Sequence, residues 1–325
     1  MPLTQIQSGM MDSVAQYYGF KNRLINPAMS IWQRGTSITL TASTFTYTTD
    51  RWVGYTANTG TVVSRSTDVP SGNQFQYSAR IQRPASNTGV NGHVFEQIIE
   101  SVNMYDLAGQ SVTFSFWAKA GANFSASGNT LNFAVNTGTV ADQGNATSIG
   151  AWTGFAQPLN TSVALTTTWT KYTVTGTIGS TALEMAAYFN WTPTGTAGAD
   201  DSIYITGVQL EEGVTATSFD VRPYGTELIL CQRYYQGNLA NGNTSSIVGN
   251  VIVRGQSTTT GAYFYWMQFP VLMRAAPTMN IGNPTYSNAN SATFFNVTPG
   301  GAEISFTVTS AGGYAFLPWR AEIEL

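Results

Sequence analysis

The stretch VTFSFW, residues 112–117, decides the fold class, because its apolar and polar side chains alternate one by one. In an extended strand, successive side chains point to opposite faces, so Phe114 and Phe116 share one face and Trp117 lies on the other. This period of two is typical of a strand in an antiparallel sheet with one buried face.

The same alternation recurs on both sides of that strand, at LNFAVN (131–136) and YTVTGTI (172–178). Further alternating segments are found at 51–57, 61–66, 76–83, 93–99, 183–191 and 202–211. Turn-forming clusters rich in Gly, Pro, Asn and Ser separate them. About nine or ten short strands without an intervening helix predict an antiparallel β-sandwich of jelly-roll type.

The last of these strands changes phase in its middle. Ile203 and Ile205 share one face, whereas Val208 and Leu210 fit only the other, and Gly207 lies between the two pairs. An extra residue inserted into one strand shifts the alternation by one position. We therefore predict a β-bulge at Gly207.

The segment that follows, RPYGTELILCQRYY (222–235), has a proline-directed turn and then a helix-forming run. Alternation resumes beyond it and predicts a smaller β module. A short amphipathic helix is predicted at 10–18, before the sandwich. The expected fold is therefore all-β: an antiparallel jelly-roll β-sandwich followed by a smaller C-terminal β module, with short N-terminal and linker helices. The predicted boundaries are 1–21 for an N-terminal attachment segment, 22–222 for the jelly-roll domain, 223–239 for the linker helix and 240–325 for the C-terminal β domain.

One strand of the C-terminal module, AYFYWMQF (262–269), is apolar or aromatic on both faces. Either another subunit buries one face, or the strand is central and covered on both sides within one chain. The aromatic residues of this module are assigned to a core or an interface: Tyr263, Tyr265, Trp266, Tyr314 and Trp319.

Composition argues against several classes of partner. Charged residues make up 10% of the chain, against about 25% in typical proteins. The net charge is −3 and the basic residues are scattered, so neither nucleic acid nor an anionic membrane is an expected partner. No stretch resembles a signal peptide or is long enough to insert in a membrane, which predicts folding in a cytoplasm.

Six motifs in order resemble those of bacteriophage tail-fibre and related virion appendage proteins that carry a carbohydrate-binding-module-like jelly roll. The motifs are NRLINPAMSIWQRGTS (22–37), YTTDRWVGY (47–55), VTFSFWAKAG (112–121), TTTWTKYTVTGTI (166–178), GVQLEEG (207–213) and FDVRPYGTELILCQRYYQG (219–237). The resemblance covers about residues 22–240. It implies a homotrimeric structural protein of the virion, made in the host cytoplasm.

The resemblance also implies two contacts: with other virion proteins, to which we assign the N-terminal segment, and with polysaccharide on the host cell surface. The expected function is a tail fibre or receptor-binding subunit without enzymatic activity. A head fibre, a capsid decoration protein and a tail connector remain alternatives, because only about 21 residues precede the sandwich. A capsular polysaccharide depolymerase is a further alternative.

No set of residues predicts catalysis. His93 is the only histidine and begins a strand, where we expect it at the surface or in a turn; a nucleophilic triad needs such a base beside Ser or Cys. Cys231 is the only cysteine and falls on the apolar stripe of the linker helix, where we expect it to be buried. The chain is therefore predicted not to be an enzyme.

Two pairs of acidic residues flank the strand at 202–211. Adjacent carboxylates on a strand point to opposite faces, so neither pair forms a catalytic dyad by itself. We expect these side chains to be solvated, and no metal ligands or cofactor are assigned, although a structural calcium at the end of the sandwich is left open. The pairs are Asp200 with Asp201 and Glu211 with Glu212.

Neutral sugars are bound by aromatic rings together with amides and hydroxyl groups, all of which are abundant here. The strand phases place one set of such side chains opposite the core. The candidate glycan-binding residues are Trp117, Asn132, Asn136, Tyr188, Asn190 and Tyr204. On neighbouring strands they would form a shallow platform; the alternative is that they pack against a neighbouring protomer or loops.

Overall fold

The computed structural model describes most of the chain. The described residues are 20–72, 74–144, 150–238, 251–254 and 260–325. The helix predicted at 10–18 lies outside these residues. Among the helices that are described, none has the length and apolar character needed to cross a bilayer.

The VTFSFW strand lies inside the first of two six-stranded sheets. In spatial order this sheet consists of β1 (Ser37–Thr39), β4 (Val62–Ser66), β5 (Ser78–Gln82), β12 (Ser202–Glu212), β7 (Ser111–Ala120) and β10 (Thr170–Thr177). Neighbouring strands are antiparallel throughout. Phe114 and Phe116 are fully buried and Trp117 is only partly buried, which confirms the predicted phase.

The second sheet packs face to face against the first. In spatial order it consists of β2 (Thr46–Tyr47), β3 (Val53–Thr56), β6 (His93–Ile99), β11 (Glu184–Trp191), β8 (Thr130–Gly138) and β9 (Ala156–Ala164). Its strands are also antiparallel. The chain passes back and forth between the two sheets, so the predicted jelly-roll sandwich is confirmed.

Aromatic rings from both sheets form the centre of the sandwich core. Phe116 meets Phe133 and Phe189 edge-on, with ring centroids 4.7 and 4.8 Å apart. Trp52 stacks on Phe95 at 5.1 Å. Complete burial of a side chain of this kind contributes about 1.5–3 kcal/mol, so the inward phase of each strand is strongly favoured.

The predicted bulge is present in β12. The pairing between β12 and β7 shifts register between Thr206 and Gln209, and Gly207 has a φ of 60°. The shift turns both Ile205 and Val208 into the core, where both are fully buried. Sequence phase alone therefore located this irregularity.

A clamped turn and a helix, α1 (Tyr224–Gln232), follow the sandwich. The guanidinium of Arg222 donates to the backbone carbonyls of Leu24, at 2.9 Å, and of Asn22. It also pairs with the Glu227 carboxylate at 3.3 Å. These bonds connect the start of the helix to residues 22–24, which precede the first strand of the sandwich. A helix is present within the predicted linker, 223–239, but it ends at Gln232. Cys231 is buried as expected.

The C-terminal module consists of three-stranded antiparallel sheets. Their strands are β13 (Tyr235–Gly237), β21 (Trp319–Glu322) and β16 (Thr278–Ile281); β14 (Val251–Arg254), β20 (Tyr314–Leu317) and β17 (Thr285–Ser287); and β15 (Gly261–Gln268), β19 (Gly301–Val308) and β18 (Ala289–Thr298). Phe306 is fully buried in its core, and Phe269 stacks on Trp319 at 5.9 Å. The strand directly after α1 thus already belongs to a sheet of this module.

The two-sided aromatic strand is β15, which pairs only with β19 among the described strands. Tyr263 and Tyr265 pack against Phe306 of the module core, with ring centroids 6.0 and 5.9 Å from it. Phe264 and Trp266 on the other face are 56% and 55% exposed. The alternative of a central strand covered on both sides within one chain is therefore wrong.

The two modules meet at a buried ionic contact. Glu324 pairs with Arg34, at 2.7 Å, and with Arg51. The Arg34 guanidinium lies 3.8 Å from the ring centroid of Tyr235, and that of Arg51 lies 3.6 Å from Tyr234. Both arginines come from the sandwich side and both tyrosines follow α1, so charge and ring contacts hold the modules together.

Candidate functional site

The structure divides the six candidate glycan-binding residues between opposite outer faces of the sandwich. Trp117 on β7 and Tyr204 on β12 lie on the outer face of the first sheet. The other four lie on the outer face of the second sheet: Asn132 and Asn136 on β8, and Tyr188 and Asn190 on β11. The expected single platform is therefore wrong. Alternation reveals which residues face away from the core, but not to which sheet a strand belongs.

The four candidates on the second sheet are partly buried or already bonded within the fold. Asn132 and Asn190 are direct cross-strand neighbours and both are partly buried. Asn136 is buried and accepts a hydrogen bond from Gln157 Nε2 at 2.9 Å. Burial, together with the nearby Glu96 carboxylate, raises the pKa of Tyr188. None of these four side chains lines any of three cavities of about 190–210 Å³ in the described part of the chain.

The outer face of the first sheet contains a cavity of about 190 Å³ beside Trp117, which we call the Trp117 cavity. Its walls combine two aromatic rings with amide, hydroxyl and ammonium groups. These side chains belong to Gln74, Ser115, Trp117, Lys171, Gln209 and Phe219. An apolar ring flanked by a few convergent polar groups is typical of a small-molecule site.

The bulge at Gly207 creates the close packing behind this cavity. A Cβ at this position would lie 2.5 Å from the Phe75 ring and 3.0 Å from the Trp117 indole. Its φ of 60° is also one that other residues rarely adopt. Phe75 in turn packs edge-on against Phe219 at 5.0 Å. Glycine is therefore required here for the Phe75 and Trp117 rings to pack against the bulge.

Two polar side chains of the Trp117 cavity differ in how they are held. Gln209 is fixed, because its Nε2 donates to Glu211 at 2.7 Å and its Oε1 accepts from the Asp220 amide at 2.8 Å. The Oγ of Ser115 is buried and makes no hydrogen bond to any described residue. A buried hydroxyl without a partner costs about 1–3 kcal/mol, and a polar group entering the cavity would recover part of that.

Tyr204, the other candidate on this sheet, does not line the cavity. It is only 9% exposed, and the Lys119 ammonium lies 4.7 Å from its ring centroid. The Trp169 ring meets it edge-on at 6.3 Å, while the Trp169 indole N–H donates to Asp68 at 2.8 Å. Tyr204 thus belongs to a closed aromatic and ionic cluster.

A second cavity, of about 210 Å³, shares two wall residues, Gln74 and Phe219, with the Trp117 cavity. Its remaining wall includes Tyr224, which is 64% exposed at the start of α1. The two cavities therefore lie side by side along the junction of the sandwich and the linker. Sequence reasoning missed Gln74, Phe219 and Tyr224, although the phase switch at Gly207 marked this region.

One member of each acidic pair is buried rather than solvated, whereas Asp200 and Glu212 are partly exposed. Asp201 is buried, pairs with Arg83 at 2.7 Å and accepts from Ser125 Oγ at 2.7 Å. Glu211 is buried and accepts from the backbone N–H and the hydroxyl of Thr217. Sequence spacing could not reveal these partners, because Arg83 lies 118 positions from Asp201. In the described part of the chain, no group of three or more His, Cys, Asp and Glu side chains is arranged to hold a metal ion.

His93 is also buried, so its expected surface or turn position is wrong. Its ring stacks on Trp191 with centroids 5.1 Å apart, and its Nε2 lies 3.1 Å from Thr61 Oγ1. Burial, with a further contribution from the positive charge of Arg83, lowers the pKa of His93 to about 3. The imidazole is therefore neutral at pH 7 and packs in the fold.

The sequence matches no protein-family model, and no curated protein matches it. Among solved structures, it is similar to the enzymatically active domain of tailspike protein 4 from bacteriophage CBA120, at 17% identity and a TM-score of 0.39. That match covers 59% of this chain and 22% of the tailspike chain.

Carbohydrate-binding modules also match. The C-terminal family 22 module of Clostridium thermocellum Xyn10B is 15% identical with a TM-score of 0.32, over 52% of this chain and 89% of the module. The xylan-binding family 22 domain of Paenibacillus barcinonensis Xyn10C is 16% identical with a TM-score of 0.32, over 55% of this chain and 99% of that domain. These values are too low to assign a family or to transfer an activity.

Proposed function

We propose that this chain is a non-enzymatic glycan-binding subunit of a bacteriophage virion, a tail fibre or receptor-binding protein that attaches to polysaccharide on the host cell. The observation that carries the binding proposal is the Trp117 cavity. There a partly exposed indole lies beside the buried hydroxyl of Ser115, which has no partner among the described residues. An aromatic face next to unsatisfied hydrogen-bonding capacity suits a sugar ring, which has an apolar face and a polar edge.

The ordered motifs in the sequence support the virion part of this proposal. In that role the sandwich faces the host surface, and the N-terminal segment contacts other virion proteins. Attachment of the purified protein to phage capsid shells, together with no adsorption to host cells, would favour the head-decoration alternative. Release of new reducing ends from host polysaccharide would favour the depolymerase.

Replacing Trp117 by alanine will weaken glycan binding about tenfold or more. Loss of a stacked indole at a buried contact costs at least about 1.4 kcal/mol, the equivalent of a factor of ten in affinity. A glycan array identifies a bound sugar, and calorimetry on the native and Trp117→Ala proteins measures the change.

The matched control for that experiment is Tyr188→Ala, on the outer face of the opposite sheet. This variant removes an aromatic side chain from the other half of the candidate set and should leave affinity unchanged. If Tyr188→Ala weakens binding and Trp117→Ala does not, the site belongs to the second sheet and the assignment to the Trp117 cavity is wrong.

Self-association into a trimer is also part of the proposal, and the exposed face of β15 is the surface we assign to it. Phe264 and Trp266 are exposed side by side on one face of this strand, and Phe264 meets Phe295 edge-on at 5.6 Å. Exposed aromatic clusters of this kind are typical of protein interfaces.

Replacing Trp266 by glutamate should convert a trimer into smaller species, because it puts a charge into a desolvated contact. Light scattering on the native and variant proteins measures the mass. Tyr105→Glu, at a residue that is 67% exposed on the sandwich, is the control and should remain trimeric. A native protein that is monomeric at micromolar concentration would contradict self-association.

A further inference from the structure

The lysines of this chain are distributed unevenly over its surface. The sequence contains only three, Lys21, Lys119 and Lys171. Lys119 and Lys171 stand on the outer face of the first sheet. Lys119 is neutralised, because it pairs with Asp68. In the part of the chain that the structure describes, the other two have no carboxylate within ion-pair distance.

Both unneutralised lysines bind the same short segment at the edge of the Trp117 cavity. Lys21 Nζ donates to Thr217 Oγ1 at 2.6 Å and to the Ser218 carbonyl at 2.8 Å. Lys171 Nζ donates to the Thr217 carbonyl at 3.2 Å. Ser218 and Lys171 themselves line the cavity. Two ammonium groups, held by neutral oxygens, are therefore brought together at one rim.

Two carboxylates close to this segment, those of Glu211 and Asp220, are bound by other donors. Glu211 is buried and accepts from Gln209 and Thr217. Asp220 accepts from the Asn22 amide at 3.2 Å and lies 3.9 Å from Arg222. Glu211 is thus buried and Asp220 is only 19% exposed, whereas the Lys171 side chain is exposed with donor capacity remaining.

The position of Lys171 relative to the aromatic wall specifies the geometry of a ligand. Lys171 and Trp117 are directly opposite each other in the pairing of β10 with β7. Side chains at opposite positions of an antiparallel pair project next to each other from the same face of the sheet. A sugar ring stacked on Trp117 therefore has one edge within reach of the Lys171 ammonium.

We infer that the Trp117 cavity selects an acidic sugar, with a carboxylate on the sugar paired to Lys171; this inference rests on the proposed glycan-binding function. A hydrogen bond between an ammonium and a carboxylate is roughly twice as strong as one between neutral groups. The chain as a whole has a net charge of −3. Local positive charge at the cavity rim is therefore what allows an anionic polysaccharide to bind.

The test compares each acidic glycan with its own uncharged counterpart. The probes are oligosaccharides of polygalacturonate, alginate and hyaluronan, each before and after chemical reduction of the carboxyl groups, with a heparin oligosaccharide as the sulfated arm. We expect the full-length protein to bind at least one carboxylated probe about tenfold more tightly than its reduced form. Raising the salt concentration from 0.05 to about 0.5 M should diminish this preference.

Variants of the two lysines on the first sheet distinguish the effect of the charge at the cavity rim from the effect of the net charge of the protein. Lys171→Gln should abolish the preference for the carboxylated probe, and Lys171→Arg should retain it. Lys119→Gln, at a lysine that is already paired and outside the cavity, should leave it unchanged. If heparin binds more tightly than every carboxylated probe, the cavity selects a sulfate and the assignment to a carboxylated sugar is wrong.

The outcomes also separate this inference from the proposed function. If reduced and unreduced probes bind equally and Trp117→Ala weakens both, the glycan site stands and the selection of an acidic sugar is wrong. If none of these probes and no array glycan binds, both the proposed function and this inference are overturned.

Discussion

Replacing Glu324 by alanine is expected to lower the free energy of unfolding by about 3–5 kcal/mol. The substitution leaves the guanidinium groups of Arg34 and Arg51 buried, at 2% and 1% side-chain exposure, without their common counter-ion. Removal of one partner from a buried ion pair is costly because the remaining charge is neither hydrated nor paired. Denaturant unfolding followed by tryptophan fluorescence measures the difference.

The chain offers a matched control only two residues away. Glu322 pairs with Arg320 at 3.6 Å, and both side chains are partly exposed to solvent. Exposed pairs of this kind contribute about 0–1 kcal/mol, so Glu322→Ala should have little effect. Equal effects of the two substitutions would show that the contact between the modules does not depend on buried charge.

Acidification is expected to destabilise the native protein by about 1.6 kcal/mol between pH 6.5 and 5 through His93 alone. Its pKa is about 3 in the folded state, because the ring is buried, and about 6.5 in the unfolded chain. The contribution of His93 is therefore complete above pH 6.5 and is lost as pH falls towards 3. Below pH 6.5 the unfolded chain binds a proton that the folded protein excludes.

Glu184 acts in the opposite direction over an overlapping range. Its carboxyl is buried, and burial raises its pKa to about 8. Its contribution is complete below the unfolded value of about 4.5 and is lost as pH rises through 8. The pH profile of the native protein alone therefore does not isolate the histidine.

The measurement that isolates it is the stability difference between the native protein and His93→Gln at several pH values. Glutamine does not titrate, so any constant cost of the substitution cancels across the series. The advantage of the native protein should shrink by about 1.6 kcal/mol between pH 6.5 and 5. A difference that is independent of pH would mean that His93 titrates normally in the folded state. As the only histidine, its ring protons also give one resolvable NMR titration.

Strand phase was predictable from local sequence. Apolar and polar residues alternate from Val112 to Phe116, so Phe114 and Phe116 share one face of the strand. Burial of that face favours a single register. The bulge at Gly207 was predictable for the same reason, because the apolar residues before it and those after it fall on opposite faces of a regular strand. Both features depend only on residues that are adjacent in the chain.

The candidate site was only partly predictable, because it depends on contacts between distant segments. Trp117 was identified as facing outwards, but Phe219 and Gln74, which complete the cavity with it, come from other strands and loops. The burial of Asp201 and His93 likewise depends on distant partners that no local pattern reveals. In a jelly roll, successive strands alternate between sheets, so outward-facing residues near in sequence finish on opposite sides.

The bond between Arg34 and Glu324 joins positions 290 residues apart. During synthesis the sandwich emerges from the ribosome long before Glu324, and in that interval Arg34 and Arg51 lack their common counter-ion. Until Glu324 folds onto it, the sandwich is therefore less stable than in the folded protein. A chain that lacks Glu324 would leave this contact between the modules unformed.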